Sequence, residues 1–465
     1  MKRVLILAGI YMVMISNINA ISLPAIISDH MVLQQNAEVS LWGWGKALEP
    51  LTIEVSWDTS FHYKTTIGKT GRWSTKIKTP SIKGPHTITF RGYNTIVVRD
   101  VLLGEVWLCS GQSNMEWSAN SKIDGAEEAI KNANHPEIRL FTTPPRTADH
   151  PQDDCQGYWE VCTPASMANF SAVGYFFGKS IQERLNRPIG LIESAWGGTP
   201  AEIWTPAEII ENDYVLMQAA KRLRDEPWGP QQPGLAFNGM IAPLVPYSLA
   251  GALWYQGETN TANANTYGQL LGSMITAWRS AWGSNFPFYY VQIAPYKGYG
   301  SDNVTGAEVR YEQSKVQKQV ANTGMVVVSD IGNLDDIHPK NKHDVGHRLA
   351  ALALQKTYHM GNTNANSPVF HHFEATNEGA LIYFDDAENG LISKGDLTPL
   401  FELQHSDGKW HPAVSATIEG KNKIRVKSSA PGKIIHVRFA FKNDSVPPLF
   451  NMEGLPASCF TTENY

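Results

Sequence analysis

The chain has 465 residues, 42% of them hydrophobic, and 39 lysines and arginines against 44 acidic residues leave a formal net charge of -5. That length exceeds one ordinary core and points to two or three domains, while the apolar content excludes a disordered chain. With no excess of positive charge there is no field to draw in a phosphate backbone, so nucleic acid is not an expected partner.

At the N-terminus, Lys2 and Arg3 precede an apolar run over residues 4–15, then a short polar stretch and Ala20. This is the shape of a secretory signal peptide over residues 1–20, cleaved after Ala20, and the run is too short for a membrane span. The mature protein is therefore expected to be soluble, without a membrane span, and periplasmic or secreted. Residues 21–100 follow as a small all-β domain. Segments 39–44, 51–55 and 86–90 alternate or run apolar between Gly, Pro and Asn breaks.

Over residues 101–360 the texture changes. Short apolar runs at 105–110, 189–193, 250–255, 288–293 and 325–329 read as buried strands, and 171–185 and 309–320 have helical periodicity. Such alternation argues a parallel sheet covered by helices on both faces, with chemistry at the carboxyl ends of the strands. Strand-like segments return at 380–384 and 433–440, so residues 361–465 are expected to be a C-terminal β-rich region. Among four cysteines, Cys155 and Cys162 are close enough to close a small loop in an oxidising compartment, whereas Cys109 lies in a strand pattern as a packed thiol.

Each proposed strand of the middle region runs into a chemically useful loop. The first leads into Gly111-Gln112-Ser113-Asn114-Met115. A tight turn there and a helix start put the Ser113 hydroxyl where it can attack while its N–H donates to an oxyanion. Alone, Ser113 would equally be an N-cap. The second strand ends in Trp196-Gly197-Gly198-Thr199, whose glycine amides are natural oxyanion donors, and the third in Tyr255-Gln256-Gly257-Glu258-Thr259-Asn260, a polar cluster with side-chain amides. The last is followed by Asp335-Asp336-Ile337-His338-Pro339. A nucleophilic serine needs an imidazole, and an Asp three residues before a His can orient that imidazole within one loop.

Two other patterns carry little. Gly178-Lys179-Ser180 sits inside a helical pattern with Gly174 too close for a phosphate-binding loop. His343 and His347 have the spacing of a metal-binding helix pair, yet no Glu follows His343.

Together the four blocks resemble the SGNH-hydrolase superfamily, and within it the sialate O-acetylesterase family. The likeness extends to Leu23-Pro24-Ala25-Ile26, Asp29-His30-Met31-Val32-Leu33-Gln34, Phe237-Asn238-Gly239-Met240-Ile241 and Glu453-Gly454-Leu455-Pro456-Ala457-Ser458, so it covers nearly the whole mature chain. The resemblance implies an α/β fold, an SGNH-type parallel sheet flanked by helices, with accessory all-β regions at both ends. It implies Ser113 as nucleophile and His338 as general base, with oxyanion donors from Ser113, from Gly197 or Gly198, and from a side chain at Gln256. The superfamily's Gly-x-Asn-Asp block is replaced here by Gly257-Glu258-Thr259-Asn260. For the third triad member the superfamily spacing selects Asp335. Asp336, or a backbone carbonyl in a Ser-His dyad, are the alternatives. Arg310 is a candidate sugar clamp. The implied substrate is an O-acetylated sialic acid or sialoglycan, with no metal or cofactor required. An acetylxylan or other polysaccharide acetylesterase, and a non-catalytic carbohydrate-binding protein, are the competing readings.

Overall fold

The computed structural model describes residues 20–300, 302–361 and 364–463. The expected signal peptide, apart from Ala20, lies outside them. No helix among the described residues is long and apolar enough to cross a membrane.

The centre of the molecule is a mixed sheet with helices. Seven strands follow one path in the order Thr323–Val326, Phe288–Val291, Gly251–Tyr255, Thr95–Gly111, Ile189–Ala195, His135–Thr142 and Trp159–Cys162. All these pairings are parallel except the last, which is antiparallel. The alternation along Thr95–Gly111 explains its continuous apolar run. Val106 and Leu108 enter one buried cluster, whereas Trp107 and Cys109 enter another on the opposite face. A strand buried on both faces reads as a near-continuous apolar run rather than an alternating one.

The Trp107 face is covered by the helices Ala172–Leu185 and Lys342–Lys356. Ser171 starts the first by accepting the Gly174 N–H, and Asn186 ends it in the left-handed region at φ 50°. The other face carries Tyr267–Trp282 and Thr305–Gln319. The helices at Tyr267–Trp282 and Lys342–Lys356 were not among the predicted elements.

The N-terminal strands include Ala37–Trp44, Pro50–Val55 and His86–Arg91, close to the predicted segments. They are not set apart by a linker. Thr95–Gly111 pairs antiparallel with His86–Arg91 and then runs on unbroken into the central sheet, so the expected boundary at 100/101 falls inside one strand. Val39, Ile53 and Phe90 share a buried cluster with Trp254, Trp278 and Tyr290. The C-terminal region is an antiparallel seven-stranded sheet with its own core around Ile382, Phe401, Val437 and Phe439.

Arg310 joins this region to the rest rather than serving a sugar. It is 2% exposed and donates to the carbonyls of Lys442 at 2.6 Å and Asn443 at 3.4 Å. All four cysteines are free and buried, so the Cys155–Cys162 loop is not closed. Burial pushes both thiols up to about 12, which leaves them protonated and unreactive at neutral pH.

Candidate active site

Strand register brings the loops together. Gly111 is paired with Ala195 on one side and with Tyr255 on the other, so three strands end at one level of the sheet. Gly111 is required there: its φ is +141°, and a Cβ would run into the Tyr255 carbonyl. The Gln112 N–H donates to that carbonyl at 3.0 Å, and Ser113 then opens the short helix Ser113–Glu116.

His338 meets the serine from the loop beyond Thr323–Val326. Its Nε2 lies 2.9 Å from Ser113 Oγ, although the two residues are 225 positions apart. The Trp117 ring stacks on the imidazole with centroids 4.4 Å apart and planes 16° from parallel. Burial holds the imidazole pKa below its ordinary value; the positive charge of Lys342 pulls the same way, and Asp336 opposes both.

The carboxylate facing His338 is that of Asp336, not Asp335. Asp336 Oδ1 accepts the His338 backbone N–H at 2.9 Å and stands 3.8 Å from Nδ1. An aspartate side chain that caps the N–H two residues on is drawn back over its own turn, which carries this carboxylate toward the ring. Asp335 points away, 77% exposed and paired with Lys297 at 2.8 Å.

The N–H groups expected as oxyanion donors are only in part free. Among the described residues, the N–H groups of Ser113 and Gly198 have no partner. The Gly197 N–H donates to Glu116 Oε2 at 2.7 Å, and burial raises the pKa of that carboxyl. Space at Gly197 is tight: a Cβ would come within 2.8 Å of Glu116 Oε2 and 3.3 Å of Ser113 Cβ, so the Glu116 carboxyl would have to shift. The Gln256 amide has both hydrogens engaged inside the protein. It is fully buried, and its two N–H bonds go to Thr199 O at 3.2 Å and Asn260 Oδ1 at 2.7 Å. Asn260 is likewise held inside, by Glu202 and Asn263.

Residues not singled out from the sequence complete the surroundings. Glu116 and Trp117 lie three and four residues after Ser113, and Lys342 four residues after His338, so short spacing to these two residues was the available signal. Trp228 had none. Its ring packs against Gly198, its carbonyl accepts from Trp196 Nε1 at 3.3 Å, and it remains 60% exposed. His343 engages Asp344 at 2.8 Å and its ring stacks on that of His347 with centroids 6.2 Å apart.

Residues 103–355 match the family described as carbohydrate esterase, sialic acid-specific acetylesterase, a span that includes every loop just described. The sialate O-acetylesterases of Rattus norvegicus and Homo sapiens are each 28% identical over 89% of this chain, covering 88% and 86% of their own lengths. A solved carbohydrate acetylesterase from Xanthomonas citri is 33% identical, superposes with a TM-score of 0.86, and covers 96% of this chain and all of its own. This chain therefore belongs to the sialic acid-specific acetylesterase family of carbohydrate esterases.

Proposed function

We propose that the protein is an exported sialate O-acetylesterase that removes O-acetyl groups from sialic acids through an acyl-enzyme. The observation that carries this reading is the 2.9 Å contact between Ser113 Oγ and His338 Nε2 at the carboxyl end of the sheet. In this reading the central sheet and its helices form an SGNH-type catalytic unit, continuous through Thr95–Gly111 with the N-terminal strands and supported by the β region at 361–465.

His338 takes the hydroxyl proton as Ser113 Oγ bonds to the acetyl carbon, and the N–H groups of Ser113 and Gly198 hold the oxyanion. Collapse of the tetrahedral intermediate breaks the bond to the sugar oxygen, which leaves with the proton from His338. Water then attacks the acetyl-serine, His338 takes its proton, and acetate departs as Ser113 regains its hydroxyl hydrogen. Asp336 faces the imidazolium formed in each half.

The substrate is tested by comparing 9-O-acetylated sialic acid with acetylated xylo-oligosaccharide. A higher kcat/KM for the sialic acid is expected. The reverse ranking moves the protein to the second reading, a polysaccharide acetylesterase.

Two further results follow from the site. The base acts only when neutral, and the His338 pKa lies below its ordinary 6.5, so the acid limb of kcat/KM against pH is expected to have its midpoint under that value. A midpoint above it would contradict the burial of His338. Trp228, exposed beside Gly198, suits stacking by the sugar. Trp228→Ala is expected to raise KM for the acetylated sugar by about tenfold while kcat/KM for ethyl acetate changes less than about twofold. Equal losses on both esters would mean that Trp228 supports the loop instead.

A further inference from the structure

Asn114, next to the nucleophile, is 1% exposed and hydrogen-bonded in three directions. Its Nδ2 donates to Glu258 Oε1 at 2.6 Å and to the carbonyl of Ile337 at 3.0 Å, and its Oδ1 accepts from Lys342 Nζ at 2.6 Å. Ile337 immediately precedes His338, Glu258 stands in the loop after Gly251–Tyr255, and Lys342 opens the helix Lys342–Lys356. One side chain thus ties the loop of the nucleophile to the loop of the base and to the strand end between them.

The two charged partners settle which way this amide faces. Its oxygen and nitrogen ends have nearly the same shape, but a lysine can only donate and a carboxylate can only accept. With Lys342 at one end and Glu258 at the other, the N–H groups must point toward Ile337. Flipped, the amide would set its oxygen against the Ile337 carbonyl. Lys342 is itself fully buried, with Nζ 5.5 Å from the centroids of both Trp117 and Tyr255, and Trp117 is the ring stacked on His338.

A buried lysine and glutamate are a poor source of stability, since apolar residues of like volume do as well or better. Here the desolvation is visible. Burial raises the Glu258 pKa and brings Lys342 down to about 7, and among the described residues Glu258 Oε2 has no hydrogen-bond partner. Such a pair is explained by what it orients.

We infer that Asn114, Glu258 and Lys342 form a buried clamp that sets the distance between Ser113 and His338, with the two charges fixing the orientation of the Asn114 amide. They are positioning residues, and the inference rests on Ser113 and His338 being nucleophile and base. The charged groups that act on His338 are Lys342 on the following helix and Asp336 on its own loop; Glu258 acts on Lys342, and Glu116 on the nucleophile helix holds the Gly197 N–H.

The test uses the full mature chain and 4-nitrophenyl acetate, which carries no sugar. Lys342→Met keeps a long unbranched side chain and removes the charge. The variant is expected to lose about tenfold or more in kcat, because a small misplacement of reacting groups is costly, with KM within about twofold. Its acid limb is expected to move to higher pH by about half a unit or more, because a positive charge that disfavoured the imidazolium is gone. Asn114→Asp keeps the shape, gives up the N–H groups, and is expected to lose kcat to a similar degree; it carries the test should Lys342→Met not fold. Folded variants with kcat within about twofold of the parent, or with a lowered Tm and nothing else changed, would overturn the clamp. Ser113→Ala run alongside separates the two levels. Activity retained in that variant overturns the reading of the nucleophile, whereas its loss beside active Lys342→Met and Asn114→Asp overturns the clamp alone.

Discussion

Replacing Ser113 by alanine is expected to lower kcat on acetylated substrate by at least about 10³-fold, while the thermal midpoint stays within about 2 °C of the parent. The two halves of that expectation have separate causes. The hydroxyl makes its hydrogen bond to His338 Nε2, so its removal leaves a half-buried imidazole with access to solvent and opens no cavity in the core. The chemistry, by contrast, loses the hydroxyl held against His338 Nε2 that takes the acetyl group in the proposed mechanism, and the remaining N–H donors can stabilise only attack by water. Hydrolysis of 4-nitrophenyl acetate by the purified variant, with a thermal unfolding curve beside it, makes the comparison. Residual turnover above about one per cent of the parent, with contaminating esterase excluded, would remove Ser113 from the mechanism.

The second large effect is expected at Asp336. Asp336→Asn should reduce kcat by about 10- to 10²-fold, less than the ~10⁴ lost with a directly bonded triad aspartate. The reason is the separation: 3.8 Å from Oδ1 to His338 Nδ1 is too long for a hydrogen bond. The carboxylate acts instead by charge and by holding the His338 backbone N–H. Asparagine keeps an oxygen for that N–H and removes the charge. Because Asp336 raises the His338 pKa, the acid limb of the variant should also move to lower pH. Asp335→Asn should change kcat by less than about twofold, since an exposed pair with Lys297 contributes little. Steady-state rates for both variants decide between them, and a larger loss at Asp335 than at Asp336 would reverse the assignment.

These two aspartates mark where reading the chain and reading the fold part. Spacing alone favoured Asp335, because three residues is a convenient reach within one loop. That argument supposed that the loop is free to turn either carboxylate inward. The Asp336 side chain caps the His338 N–H two residues on, and this local bond sends Asp336 toward the ring and leaves Asp335 to Lys297.

The Gln256 amide is taken up inside the protein for a related reason. A side-chain amide at a strand end looks available in one dimension, but Thr199 and Asn260 take both of its hydrogens from loops 57 and four residues away. Arg310 was misread in the same way, since its carbonyl partners lie more than 130 residues further on.

What the sequence by itself determined was local and periodic: apolar runs that bury on both faces, the helix over 171–185, and four polar blocks at strand ends. The family could be read from those blocks because each is a short string. Tertiary structure decided what depends on long separations. It merged the N-terminal strands with the central sheet through Thr95–Gly111, left the cysteines unpaired, took up the Gln256 amide and Arg310, and set Lys342 beneath Trp117. The physical reason is that a hydrogen bond or a buried charge is defined by its partner, and in the fold that partner comes from another loop.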